Sequence, residues 1–212
     1  IKPGTCKLMM EEVFSKSDKN ILLAHCPERA IPGKTLFELV HNDRIIGGLD
    51  ERSALRAKAI YQSFSKGQLY ITDGTTAEAA KLMENTFRDV NIALANEFSL
   101  IADELGIDVW EAIELANKHP RVEILKPGPG VGGHCIPIDP WFLVQNSKLS
   151  KLIPVARKIN DDRPSVIVEK VKEHGPKKVG LLGVTYKPDV DDSRESPAFK
   201  IAELLIEQGF EV

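Results

Sequence analysis

The chain holds 212 residues with a formal net charge of -3, 42% hydrophobic and 28% charged. That composition belongs to a folded, soluble protein of one or two domains, and it excludes disorder. No cluster of Lys and Arg stands ready for a nucleic-acid backbone, and no apolar run is long enough for a membrane.

From the start, residues 7–14 carry a helical pattern, Ile21 to Ala24 form an apolar run, and Arg44 to Gly47 read as a strand. An amphipathic helix is expected over 50–65 and a strand over Gln68 to Thr72, an alternation suited to the tail of an α/β domain. Thr75-x-x-Glu78 has the form of a capping box and is expected to open a long helix to about Glu104. Its apolar residues Ala80, Met83, Phe87, Val90, Leu94, Phe98 and Ile101 advance by three and four, a stripe that should pack on another helix. Gly106 ends that helix. Asp108 caps a second helix to about Lys118, before Pro120. A third helical stretch is expected from Pro154 to His174, with Pro164 as a kink or restart and Gly175 at its end. Lys178 to Val184 read as a buried strand, and Ser196-Pro197 as the N-cap and first residue of a helix reaching Gln208.

The segment from Lys126 to Pro140, KPGPGVGGHCIPIDP, carries the most chemistry. Four glycines permit positive φ and close approach of a ligand to the backbone, while the prolines fix φ and remove N–H donors. Cys135 is thereby presented as a candidate nucleophile, the alternative being a small, inert core thiol. Gly128, Gly130 and Gly133 match G-x-G-x-x-G, yet Pro127 precedes the glycines and Cys135 to Pro140 should not open a helix, so the dinucleotide reading is rejected. Three cysteines without a secretory leader point to free thiols at Cys6, Cys26 and Cys135 and to a reducing cytoplasm. The adjacent His25-Cys26 and His134-Cys135 pairs do not suit a metal, because neighbouring residues in extended chain point to opposite sides. A cysteine hydrolase would need one of His41, His119 or His174 beside Cys135, which spacing does not choose.

Three further constellations matter. Lys81, Asn85 and Arg88 lie at i, i+4 and i+7 on the long helix, either a ligand-gripping face or a solvated one. Cys26-Pro27-Glu28-Arg29-Ala30-Ile31-Pro32-Gly33 follows an apolar run, where α/β sheets present binding loops, and Glu28 there is a surface-turn residue or a general base on water. Residues 185–196 bring Tyr186, Lys187 and Arg194 to the carboxyl end of the expected strand, which suits a base, a ribose or phosphates.

With those residues assembled, the chain resembles the nucleotide-sugar 6-dehydrogenases, the UDP-glucose and GDP-mannose dehydrogenase family. The forms CPERAIPG at 26–33, NDRIIGG at 42–48 and GGHC at 132–135 look most like the branch acting on UDP-N-acetyl-D-mannosamine; UDP-N-acetylglucosamine and UDP-glucose enzymes are the alternatives. The resemblance implies an α/β fold with an all-helical central dimerisation domain between two incomplete Rossmann-like domains. Its divisions are 1–73 for the end of the NAD-binding domain, 74–174 for the helical domain and 175–212 for the start of the UDP-binding domain. It implies a soluble cytoplasmic homodimer that binds neither nucleic acid nor membrane and uses NAD to oxidise the C6 alcohol of a UDP-N-acetylhexosamine to a carboxylate, in cell-surface polysaccharide synthesis. By that likeness Cys135 is the nucleophile, Lys81 the acid/base and Asn85 the holder of a water or oxygen beside it. Glu28 and Asp139 orient thiol and lysine and assist hydrolysis. Arg29, Ala30, Arg88, His119, Arg121, Gly132, Tyr186 and Lys187 match sugar and UDP contacts, and Arg194 a cofactor contact. His119 and Arg121 are expected to reach into the partner's site. The family's glycine-rich dinucleotide turn should lie ahead of Ile1 and most of the UDP domain beyond Val212, so this chain alone is expected not to turn over. Pro32 stands where UDP-glucose members carry a second glutamate. A non-catalytic dimerisation or nucleotide-sugar-binding module is the reading from another class.

Overall fold

The structure is a computed structural model that describes residues 1–31 and 33–212; the reading placed on Pro32 lies outside the described residues. The chain divides into two compact units, 1–84 and 85–212, and the division falls inside one long helix.

The first unit begins with α1 (Thr5–Glu12) and a short 3₁₀ turn at Phe14–Lys16. It then builds a small sheet from β1 (Ala24–His25), β2 (Arg44–Gly48) and β3 (Leu69–Asp73), in that spatial order. α2 (Thr35–His41) lies between β1 and β2, and α3 (Glu51–Gln62) between β2 and β3. β2 and β3 run parallel with Arg44 opposite Leu69 and Gly48 opposite Asp73, so β2-α3-β3 is a βαβ crossover. β1 adds antiparallel to β2, through Ala24 opposite Gly48. Asp50 caps α3 by accepting a hydrogen bond from the Ser53 N–H at 2.6 Å. Two backbones meet closely here: a Cβ on Gly47 would stand 2.4 Å from that of Ala77, a distance only glycine relieves.

The long helix, α4 (Gly74–Leu105), starts one residue before the proposed capping box. Asp73 caps it, its carboxylate accepting from the Thr76 N–H at 2.9 Å and from the Thr76 hydroxyl at 2.5 Å. Glu78, the box's second member, is instead buried and accepts from the N–H groups of Gly4 (2.5 Å) and Cys6 (2.8 Å) at the start of α1. A carboxylate there satisfies orphan amide donors and favours the helix dipole, and that tertiary demand overrides the local motif.

In the second unit, α5 (Val109–Ala116) is capped by Asp108, whose side chain accepts from the Trp110 N–H. After the glycine-rich segment comes α6 (Asp139–Val144), with Pro140 in its first turn. This corrects the expectation that no helix opens there, since proline is tolerated where its missing N–H would be an orphan anyway. No strand leads directly into that segment, which follows α5 and its turn. α7 (Leu152–Glu173) continues through Pro164, and α8 (Pro197–Glu207) is capped by Ser196. Val168 of α7 packs with Ile201 and Leu205 of α8, and Val179 and Leu181 lie against this cluster.

Two expectations fail in this unit. Lys178 to Val184 form no strand: one parallel bridge joins Lys178 to Glu211, and Leu182 is 101% exposed. Among the described residues that one bridge is its only strand-like pairing, and a strand needs a paired neighbour along its length. The apolar stripe of α4 is covered only in part among the described residues, with Ala80, Val90 and Phe98 half-buried. Met83, Phe87, Leu94 and Ile101 are exposed, Phe87 to 65%, whereas Asn85, Asp89 and Asn96 on the same helix are buried. The reason lies on α7, which contributes the buried Arg157, Asn160 and Arg163, so the seam between the helices is polar. Arg157 pairs with Asp89 and with Asp161, and Asn160 Nδ2 donates to the Asp89 carbonyl and carboxylate, both at 2.9 Å. Asn96 donates to Asn160 Oδ1 at 2.9 Å. Among the described residues no helix is long and apolar enough to cross a membrane.

Candidate active site

In the first unit the loop after β1 is tied down by Glu28. One carboxylate oxygen accepts from the backbone N–H of Arg29 and of Ala30, both at 2.7 Å, and the other from Arg44 NH1 at 3.1 Å. Partial burial pushes Glu28 up, but those two amides and the guanidinium outweigh it and hold its carboxyl below the usual carboxylate range. Glu28 therefore stays ionised, with both oxygens engaged. Arg44 is buried, donates to the Leu39 carbonyl at 2.8 Å and lies 4.9 Å from the centre of the Tyr61 ring. An arginine opening an apolar strand was the one signal of it in the sequence. On α4, Lys81 Nζ stands 4.0 Å from Glu84, and Glu84 also pairs with Arg29 at 2.6 Å.

In the second unit Asn85, one turn beyond Lys81 on α4, donates to Asp139 Oδ2 at 2.5 Å. The Asp139 N–H in turn donates to the Cys135 carbonyl at 2.8 Å, joined by the Ile138 N–H at 3.1 Å. Three of the residues singled out in the sequence, Asn85, Asp139 and Cys135, thus form one connected chain. Cys135 is half-buried with a free thiol. Cys6 makes the contrast: burial, with help from Glu78, pushes its thiol up to about 11, which suits an inert core cysteine.

The glycine-rich segment is held at both ends. At its root, Gly128 donates its N–H to Asn96 Oδ1 at 2.8 Å and its carbonyl accepts from Arg163 Nε at 2.9 Å. Nearer the thiol, a Cβ on Gly132 would lie 2.6 Å from that of Tyr186 and 2.7 Å from the Glu195 carbonyl. Gly133 has φ +83 and donates its N–H to the Arg194 carbonyl at 3.0 Å. Tyr186 and Arg194 are therefore brought to the cysteine turn, while Lys187 is exposed two residues before a left-handed Asp189. Asn96, Asn117 and Arg163 were not singled out from the sequence, since isolated polar residues in helical segments carry no local sign of what they will hold.

Arg194 makes two side-chain bonds to Asp192, at 2.9 and 2.7 Å, and these hold the Asp192 carboxyl at about 2. The pair's contribution is present above the unfolded value of about 4 and is lost as pH falls through about 2. Arg194→Met should move the Asp192 titration midpoint up toward about 3.9, read from its carboxyl carbon by NMR; an unmoved midpoint would assign the depression to another cause.

His119 and Arg121 lie together on the turn after α5, both exposed, with Arg121 N–H 3.3 Å from His119 Nδ1. Asn117 closes the neck of that turn, its amide donating to the Ile124 carbonyl at 3.0 Å and accepting from the Ile124 N–H at 2.8 Å. Arg88 is exposed on α4. A cavity of about 390 Å³ opens at the carboxyl ends of β2 and β3, lined by Gly48, Leu49, Asp73, Gly74 and Thr75. Lys7, Met10 and Glu11 of α1 line its other side, and in a parallel sheet that edge is where dinucleotides bind.

Three domain models of one family match the chain: the UDP-glucose/GDP-mannose dehydrogenase NAD binding domain over residues 1–65, its central domain over 75–162 and its UDP binding domain over 180–212. A UDP-N-acetyl-D-mannosamine dehydrogenase of Methanocaldococcus jannaschii is 62% identical over 217 residues, covering 100% of this chain and 50% of that one. Its counterpart in Methanococcus aeolicus is 57% identical over 218 residues, covering 100% and 50%. Among solved structures, a UDP-D-ManNAc dehydrogenase from Pyrococcus horikoshii superposes with a TM-score of 0.88 at 46% identity, covering 100% of this chain and 53% of that one. The chain spans about half the length of these relatives.

Proposed function

The chain belongs to the UDP-glucose/GDP-mannose dehydrogenase family, and from that premise we propose that its protein oxidises the C6 alcohol of a UDP-N-acetylhexosamine, UDP-N-acetyl-D-mannosamine above all, to the uronate. The observation that carries this reading is the hydrogen-bonded chain from Asn85 through Asp139 to the turn of Cys135, a half-exposed thiol beside a helix rich in polar donors. When bound, NAD would supply the hydride acceptor, twice per sugar, with Gly48, Asp73, Gly74 and Thr75 at the carboxyl edge of β2 and β3 as residues that would hold it; Arg194 is assigned to the cofactor by the family likeness alone.

The chain's own residues then divide the work. Lys81 takes the proton of the C6 hydroxyl and steadies the developing oxyanion, and Asn85 holds the oxygen or water beside it. Cys135 Sγ bonds to the aldehyde carbon, giving a thiohemiacetal and, after the second oxidation, a thioester. Water cleaves the C–S bond, returning the thiol and leaving the carboxylate. Overall one alcohol and one water yield one carboxylate, four electrons and protons to balance. Asp139 fixes the cysteine turn, and Glu28 fixes the loop carrying Arg29 and Ala30. Arg29, Ala30, Arg88, Gly132, Tyr186 and Lys187 grip sugar and UDP. Gly132 serves there because its bare backbone leaves room for the Tyr186 Cβ and the Glu195 carbonyl.

We divide the chain into an end of the NAD domain at 1–73, a helical domain at 74–174 and a start of the UDP domain at 175–212. The exposed Met83, Phe87, Leu94 and Ile101 support a homodimer through the helical part, with His119 and Arg121 offered to a partner's site on the turn that Asn117 closes. Free thiols suit a cytoplasmic enzyme of surface-polysaccharide synthesis. The test is the full-length protein with NAD and a panel of UDP-sugars, followed at the nicotinamide absorbance. Two NADH per sugar on one UDP-N-acetylhexosamine is expected. Equal turnover of UDP-glucose would overturn the choice of sugar, and no reduction with any sugar would overturn the activity.

A further inference from the structure

Glu84 has no role in the reading above, yet it touches two residues that do. Its Oε1 is 2.6 Å from Arg29 NH2, and its Oε2 is 4.0 Å from Lys81 Nζ. All three side chains are about one third exposed, so the cluster sits at the edge of the first unit, neither in the core nor in open water. Arg29 belongs to a loop without regular structure, whereas Glu84 stands on α4. The ion pair therefore fastens a loop guanidinium to a rigid element, and NH1, bonded to the Asp43 carbonyl at 3.3 Å, sets its second direction. Arg29 Nε is buried and has no hydrogen-bond partner among the described residues.

The charge balance says what such an arginine recognises. Without Glu84, Arg29 and Lys81 would be two uncompensated cations in one corner, a site for an anion. With it, Arg29 is already neutralised and oriented, and what remains is a directional donor for an uncharged acceptor. Resting on the proposed function and deepening it, we propose that Glu84 is a positioning and specificity residue: it aims Arg29 at a neutral oxygen of the sugar, the carbonyl of a 2-acetamido group, and so favours N-acetylhexosamines over plain hexoses.

The experiment compares the full-length protein with Glu84→Gln, Glu84→Asp, Arg29→Ala and the Arg29→Ala/Glu84→Gln pair. Each is titrated calorimetrically with a UDP-N-acetylhexosamine and with UDP-glucose, and assayed for KM and kcat. Glu84→Gln should weaken UDP-N-acetylhexosamine binding and raise its KM by roughly tenfold, with kcat within about threefold. Binding of UDP-glucose should change by less than about threefold, so discrimination between the sugars falls. Glu84→Asp should recover most of the loss, and Glu84→Gln should add nothing on the Arg29→Ala background. Equal loss for both sugars, or unchanged binding of both, overturns the proposal. So does full additivity of the two substitutions. The calorimetric arm separates this proposal from the catalytic one: selective binding that depends on Glu84, in a protein that never reduces NAD, would uphold the role of Glu84 and sink the oxidation.

Discussion

Cys135→Ser in the full-length protein is expected to abolish the four-electron oxidation, by roughly a thousandfold or more, while UDP-sugar affinity stays within a few fold. The size follows from the role: a serine hydroxyl is a far weaker nucleophile at neutral pH, and without the thioester the second oxidation loses its covalent foothold. Fold should not suffer, because the residue is half-buried and the bonds that shape its turn run from the Asp139 and Ile138 amides to its backbone carbonyl. Steady-state assays with a calorimetric titration check both halves. A protein that binds sugars as before and never oxidised them in either form would belong to the non-catalytic class of binding modules.

Asp89→Ala should cost about 3–5 kcal/mol of stability, the toll of breaking a buried pair from one side. Asp89 is 0% exposed and Arg157 2%. Burial pushes the Asp89 carboxyl up, and the Arg157 guanidinium works against it. Removal of the carboxylate leaves the guanidinium with Asp161 alone, a residue at the surface, and takes one acceptor from Asn160. Replacing both partners together, Asp89→Leu with Arg157→Met, should cost much less than the single change, since no charge is then stranded. Urea unfolding followed by far-UV circular dichroism reads the difference. A single variant that unfolds at the unsubstituted midpoint would show the pair to be energetically idle.

Local rules carried the elements whose ends are chemically marked. Asp108, Ser196-Pro197, Gly106 and Gly175 announce helix boundaries by capping and by positive φ, and the structure puts boundaries there. β2, α3 and β3 followed from alternating apolar segments. What failed depends on partners distant in sequence. Glu78 left its capping box because the first turn of α1, more than seventy positions away, holds bare amides. Lys178 to Val184 look like a strand by composition, but a strand is defined by its neighbours. The apolar periodicity of α4 is real, yet periodicity alone does not say which face meets α7. For the site, Cys135 and Asn85 stand out by residue type and spacing, whereas Asp139 comes only with the family resemblance. Glu84, Asn96, Asn117 and Arg163 were not, since each acts by bracing something else.

The polar seam between α4 and α7 also works as a vernier. Two greasy surfaces sliding by one helical turn, about 5.4 Å, trade one set of contacts for a similar set. Here the same slip would strand the Asp89, Arg157, Asn96 and Asn160 groups at once, so only one alignment is tolerated. Because Gly128 hangs from Asn96 and Arg163 on those two helices, the height at which the cysteine turn begins is calibrated by that alignment.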